Sequence, residues 1–217
     1  MRKLIIICIL ILTLLSICSC GEPALEPEEV EQSTLTPTPE ATIIPEPTPV
    51  RSFANFPDDM PETLRDPKIV VKKSERILEL WDGDTLFGSC SIGLGWKPEG
   101  TKKTEGDGKT PEGEYYVCVR NDQSSYYLSL GVSYPNVSDA EAAFEEGTID
   151  QETYDEIIEA NNNKTRPPQK TAMGGEIMIH GCGGDRDWTA GCVAVDDDIM
   201  DILWQYCPNK TPIIIEP

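Results

Sequence analysis

The sequence predicts a mainly β domain with two short helices inserted between its strands and one more helix near its C-terminus. Three observations carry this. Runs of β-branched and aromatic residues alternate with turn signals from Ile69 onward. The pattern changes to a 3.6-residue period in two places only, at 138–161 and 196–206. A glycine-rich stretch between His180 and Cys192 joins two short apolar runs, which reads as strand, loop, strand.

In chain order, Ile69-Val-Val71 and Ile77 to Trp81 flank a polar Lys-Lys-Ser-Glu-Arg turn, a hairpin with strands at 69–73 and 76–81. Asp82-Gly83 is a strong turn signal into a third strand, Thr85–Ile92. Gly93, Gly95, Pro98, Gly100, Gly106 and Gly108 then mark a long loop, and Glu114–Arg120 alternates as a strand should. Tyr126–Leu130 is another short strand. Ser138 reads as the N-cap of a helix that Gly147 stops, and Asp150 caps a second, ended by Asn161 to Pro168. Such an insertion serves either as a lid or substrate wall or as a surface elaboration. Asp196 is a candidate N-cap for 197–206, with Asp197 and Asp198 in the first turn where the helix dipole favours anions. Pro212–Glu216 is a final strand.

The 217 residues suffice for one domain with appendages. Residues 1–19 have a basic start, an apolar run from Leu4 to Ile17 and small residues after it, the pattern of a signal peptide. Ile17-Cys18-Ser19-Cys20 resembles a bacterial lipobox, with Cys20 as the lipidated first residue of the mature chain. Residues 20–66 are rich in Pro, Glu and Thr and carry eleven acids against two arginines. They read as a disordered tether, which at about 3 Å per residue spans on the order of 100 Å. The folded domain is then 67–217, outside the cytoplasmic membrane and held to it by a lipid.

This domain carries 27 acidic and 14 basic residues, which argues against a nucleic-acid partner. It holds five cysteines: Cys90, Cys118, Cys182, Cys192 and Cys207. In an exported domain an odd number leaves one thiol over, a candidate reactive one.

His180 is the only histidine. A tight return through Gly181, Gly183, Gly184 and Gly191 would set its imidazole beside Cys192. An imidazole can take the proton of a thiol and later hand it to a leaving amine. The amides of Gly191 and Cys192 are candidates for an oxyanion hole, to which Thr189 would add a hydroxyl. With no second histidine, the group that orients the imidazole is a backbone carbonyl, a hydroxyl or a carboxylate, and Asp185 and Asp187 are the carboxylates close in sequence. The residues leave three alternatives: Cys192 as nucleophile, a Cys182–Cys192 disulfide, or a metal held by His180, Cys182 and Cys192. The last lacks a fourth ligand at a recognised spacing.

His180-Gly181 followed by Thr189-Ala-Gly-Cys192 and Val193-Ala-Val195 resembles the YkuD-type L,D-transpeptidase family. Val70 to Leu80 is similar to that family's opening hairpin, and Thr110-Pro-Glu-Gly-Glu-Tyr115 to its Thr-Pro-x-Gly-x-Tyr segment. The inserted helices and Gly174-Gly-Glu-Ile-Met-Ile-His-Gly181 fit one branch. The resemblance covers about 68–217. It implies a β-sandwich or barrel, a monomeric enzyme that needs no cofactor and no metal, and peptidoglycan stem peptides as partners. It implies Cys192 as nucleophile, His180 as general base and acid, Gly191 in the oxyanion loop, and the Gly181 carbonyl orienting His180. Transfer of the acyl group to an amine gives a 3→3 crosslink, and transfer to water gives carboxypeptidase activity. Two departures stand out: Ala190 replaces a frequent histidine, and Ala194 a frequent Arg or Asn. Trp188 and Arg186 are the candidates to compensate, Arg186 by pairing with a stem carboxylate.

Overall fold

The structure is a computed structural model and describes residues 53–217. The signal peptide, Cys20 and the tether as far as residue 52 lie outside the described residues.

Strands β2 (Pro67–Lys72), β3 (Ile77–Asp82) and β4 (Thr85–Ser91) form an antiparallel meander. Ile69, Val70 and Val71 in succession are buried, so β2 is covered on both faces. The C-terminal strand β9 (Pro212–Glu216) returns to lie parallel to β2. The long strand β5 (Gly113–Ser124) belongs to both halves of the domain. Its first residues, Gly113–Tyr116, pair with β9, and its later ones with β6 (Tyr127–Val132). Beyond β6 come β7 (Met178–His180), antiparallel, and β8 (Val193–Ala194), parallel to β7.

The backbone just past β4 then bridges β8. Gly93 and Ala194 exchange N–H···O bonds of 2.9 and 2.8 Å, and Gly95 pairs with Thr189. These bridges curl the nine-strand ribbon back on itself, which brings the far end of the sheet, where β7 and β8 lie, against the strand that left the meander. The interior is one cluster running from Ile69 and Leu80 through Val117 and Leu130 to Val193 and Leu203.

Helix α1 (Val137–Glu145) starts earlier than the sequence suggested. Asn136, not Ser138, is its N-cap, because Asn136 and Asp139 form a reciprocal capping box with bonds of 2.8 and 2.9 Å. Helix α2 (Gln151–Asn162) is capped by Asp150, whose carboxylate accepts the Thr153 amide at 2.9 Å. Helix α3 (Asp197–Tyr206) follows Asp196, but no cap bond comes from that side chain. Asp196 accepts from the Gly184 amide at 3.2 Å, and Asp197 from the Cys182 amide at 2.8 Å. The acidic run therefore fastens the glycine loop as well as starting a helix.

Residues 53–66 depart from the tether expected of them. Strand β1 (Ala54–Asn55) pairs with β4. Phe56 packs edge-on against Phe87 and fills the space a side chain at Gly88 would need. The Tyr206 hydroxyl donates to the Pro61 carbonyl. Phe56, Met60 and Leu64 pack against the core and supply the apolar contact that orders this segment.

One buried cation fixes the long loop before β5. Lys73 Nζ donates to the carbonyls of Gly100 and Thr110 at 2.7 and 2.8 Å and to Glu112 at 2.7 Å. All three ammonium protons are thereby engaged, which is what makes burying the charge tolerable.

Candidate active site

His180 ends β7 and is buried. Its Nδ1 donates to the Gly181 carbonyl at 2.8 Å. A carbonyl only accepts, so Nδ1 carries the proton and Nε2 of the neutral ring keeps its lone pair. Gly181 is held in turn, its N–H donating to the Tyr126 carbonyl at 3.1 Å. A Cβ on Gly181 would stand 2.4 Å from Asp197 Oδ1, so only glycine fits there. Tyr126 stacks on the imidazole at 4.7 Å between centroids, and Trp188 meets it edge-on at 5.6 Å. Trp188 is steadied by its indole N–H, which donates to the Gly183 carbonyl at 3.1 Å. Burial lowers the imidazole pKa below its ordinary value, against the opposing pull of the Gly181 carbonyl.

The register of β7 and β8 brings in the thiol. Ile179 lies opposite Val193, and His180 opposite Ala194. Opposite residues of a parallel pair share a face, and a strand's faces alternate with period two. Cys192, two residues before Ala194, therefore continues the face that His180 occupies. Its Sγ accepts from the Met178 amide at 3.4 Å and donates to the Glu176 carbonyl at 3.6 Å. Burial raises the thiol pKa, and the Glu176 charge adds to that. The Met178 amide and the Lys102 charge act the other way. Both shifts favour the uncharged forms, a neutral thiol and a neutral imidazole.

The loop between them is held from inside. The Thr189 hydroxyl accepts the Gly191 N–H at 3.1 Å and donates to the Cys192 carbonyl at 2.8 Å. Gly191 has φ +136°, and a Cβ there would stand 2.6 Å from the Lys109 carbonyl. Two expectations change as a result. The Gly191 amide is engaged by Thr189 and is not free to face an oxyanion, and the Thr189 hydroxyl is engaged at both ends and is not free for a substrate. Asp187 does not orient His180. Its carboxylate takes the Arg76 guanidinium in a forked pair, with contacts of 2.8 to 3.1 Å, and accepts the Leu94 amide at 2.9 Å.

Other expectations also change. Arg186 is exposed and is not among the residues lining the cleft that holds His180 and Cys192. All five cysteines of the described residues are free. Cys182 is exposed, with its amide on Asp197, while the Cys192 thiol turns toward Glu176 and Met178, so the disulfide alternative has no geometry to support it. Among the described residues, no three His, Cys, Asp or Glu side chains are grouped as metal ligands.

The cleft measures about 1210 Å³. His180, Cys192, Trp188, Thr189 and Ala190 line it, with Tyr126 stacked on the imidazole. The rest of the lining is Gln169–Ala172 and Gly174–Ile177, from the segment ahead of β7, and Lys102, Glu105 and Gly106, from the loop before β5. No residue of α1 or α2 lines it. The inserted helices support the wall, and the return segment after them forms it. Tyr126, Lys102 and Gln169 were not singled out in the sequence, because each reaches the cleft only through the tertiary fold. The Tyr126-Tyr127 pair at the tip of a hairpin was the one hint.

A family model described as the L,D-transpeptidase catalytic domain, YkuD, matches residues 66–215. No curated protein matches the chain. Among solved structures, an L,D-transpeptidase from Xylanimonas cellulosilytica is 14% identical, with 72% of this chain and 63% of that one covered and a TM-score of 0.41. The helical cell shape determining protein Pgp2 from Campylobacter jejuni is 23% identical, with 70% and 47% covered and a TM-score of 0.47. Bd1075 from Bdellovibrio bacteriovorus is 24% identical, with 70% and 48% covered and a TM-score of 0.44. This chain thus matches between 47% and 63% of the length of these three.

Proposed function

The chain belongs to the L,D-transpeptidase catalytic-domain family, and we propose that it is an exported, lipid-anchored enzyme that forms an acyl-enzyme on Cys192 from peptidoglycan stem peptides. The observation that carries this is the His180 Nδ1 contact with the Gly181 carbonyl, which leaves Nε2 as a base in the cleft that holds the thiol. On attack, His180 takes the Cys192 proton as sulfur bonds to the peptide carbonyl carbon. The tetrahedral intermediate collapses, and His180 passes that proton to the departing D-alanine amine. A thioester remains. An amine of a second stem then attacks it, with its proton going to His180 and on to the thiolate, which leaves a 3→3 crosslink and free enzyme. Water in place of the amine gives a carboxypeptidase.

The Cys192 amide is the loop donor that Thr189 does not hold, and it is the candidate for the oxyanion. The Met178 N–H, already on the sulfur, stabilises the thiolate at the moments it exists. Tyr126 and Trp188 pack against the imidazole and hold its orientation. The attachment of Cys20 to lipid and the export of the chain belong to the same proposal.

The test is intact mass after incubation with a carbapenem, which acylates such a thiol. A stoichiometric adduct in the parent, absent in Cys192→Ser, is expected. No adduct on the parent sinks the proposal. Incubation with muropeptides then separates transfer, which yields dimers, from hydrolysis.

A further inference from the structure

The Cys192 thiol is held by groups that the catalytic pair does not include. Its proton points to the Glu176 carbonyl, 3.6 Å from Sγ. Glu176 has φ +55°, a left-handed conformation that a glutamate adopts only when something holds it there. What holds it is Gln169. The Gln169 side-chain oxygen accepts the Glu176 N–H at 2.7 Å. Its side-chain nitrogen donates to the Pro167 carbonyl at 2.6 Å and reaches the Tyr134 carbonyl at 3.4 Å. Gly175 lets the two strands of this knot close, since a Cβ there would lie 2.5 Å from the Gln169 carbonyl. Gln169 itself stands in the cleft wall.

We infer that Gln169 is a positioning residue that, by fixing Glu176, parks the Cys192 thiol in its protonated form until substrate fills the cleft. The inference rests on Cys192 being the nucleophile. The carbonyl accepts a proton only while sulfur carries one, so it favours the thiol over the thiolate. A bound stem peptide lying along residues 169–177 and contacting this knot would loosen the carbonyl from the thiol and leave the proton to His180. The other charged or titratable groups that line the cleft with the thiol are His180 from β7, Lys102 and Glu105 from the loop before β5, Lys170 and Glu176 from the return segment, and Tyr126 from the β5–β6 turn.

The experiment is the pH dependence of iodoacetamide alkylation of Cys192 in the full chain, read peptide by peptide so that the other cysteines do not interfere. Gln169→Met keeps the side chain's length and removes the acceptor. Its alkylation midpoint is expected to move to lower pH, with the rate near neutrality rising roughly threefold, the worth of one weak hydrogen bond. Gln169→Glu keeps the acceptor and is expected to hold the midpoint at or above the parent's. A midpoint unchanged in Gln169→Met, with only the plateau rate raised or the melting temperature lowered, means that Gln169 merely supports the wall, and the inference falls. Equal midpoint shifts in both variants also overturn it. Because alkylation reports on the thiol whatever the enzyme's substrate, these outcomes are separate from the carbapenem result, which tests the nucleophile itself.

Discussion

The two walls of the cleft are built on different terms. The wall from Gly181 to Cys192 is tied by short-range bonds, Thr189 to Gly191 and Cys192 and Trp188 to Gly183, and by bonds to the extension of β4 and the start of α3. The wall from Gln169 to Ile177 has no regular structure ahead of β7. It hangs on Gln169, on buried Met173, and on the helical pair behind it, which Tyr116 pins through the Thr165 carbonyl at 2.7 Å. The first wall fixes the reacting atoms. The second wall touches the same sulfur, through the Glu176 carbonyl.

The largest expected effect lies at His180, where the first wall begins. His180→Gln removes the base while keeping a side chain that can reach the Gly181 carbonyl. Carbapenem acylation is expected to slow by about 10²–10⁴, read by intact mass against time. A loss under tenfold would show that the thiol needs no base.

Next is Thr189→Val, which strips the Gly191 amide and the Cys192 carbonyl of one buried partner each. Stability is expected to fall by roughly 2–4 kcal/mol, measured by denaturant unfolding, with acylation slowed as well. Full stability with full activity would mean that the loop does not depend on the hydroxyl.

The helices behind the second wall have their own handle in Asp139, which joins the α1 cap to the Tyr115 hydroxyl at 2.9 Å. Burial pushes its pKa up to about 6. A carboxyl whose folded pKa lies above its unfolded value binds more protons when folded, so its contribution is full below the unfolded pKa and is lost as pH rises to the folded one. Between about pH 4 and 6 this one group is expected to cost up to about 3 kcal/mol. Asp139→Asn keeps both acceptor contacts and removes the titration. The variant is expected to gain stability relative to the parent across that window, and parallel curves would contradict the shift. The smallest expected effect is Arg186→Ala: exposed and away from the cleft lining, it should leave acylation within about twofold of the parent, since surface changes seldom matter.

How much of this was legible in the sequence follows the same division. The meander, β5 and both capped helices announce themselves by period and turn chemistry, and the first wall does so by its glycines, the histidine before it and Cys192. The Gly181 contact was expected from the family resemblance and is present in the structure. What the sequence hid are bonds between residues far apart in the chain. The Arg76–Asp187 pair joins a hairpin turn to the active loop, and without it Asp187 looks like an orienting group for His180. Arg186 sits beside the motif in sequence, yet the loop turns it to solvent. Ser138 was favoured as a cap because a serine before an acidic run is a common start, but Asn136 reaches Asp139 with the spacing a capping box needs. Gln169 lies in a stretch with no period at all, and nothing local marks it.

The central claim is that the resting site holds a neutral Cys192 and a neutral His180, so that the proton moves only on attack. The rate of carbapenem acylation as a function of pH tests this most directly. With the imidazole pKa lowered and the thiol pKa raised, acylation is expected to rise through a limb below pH 6.5, set by loss of the His180 proton. It should show no fall until the raised thiol pKa is approached. A rate that is already full near pH 5 and declines above neutrality would mean a preformed thiolate–imidazolium pair, and would contradict the account.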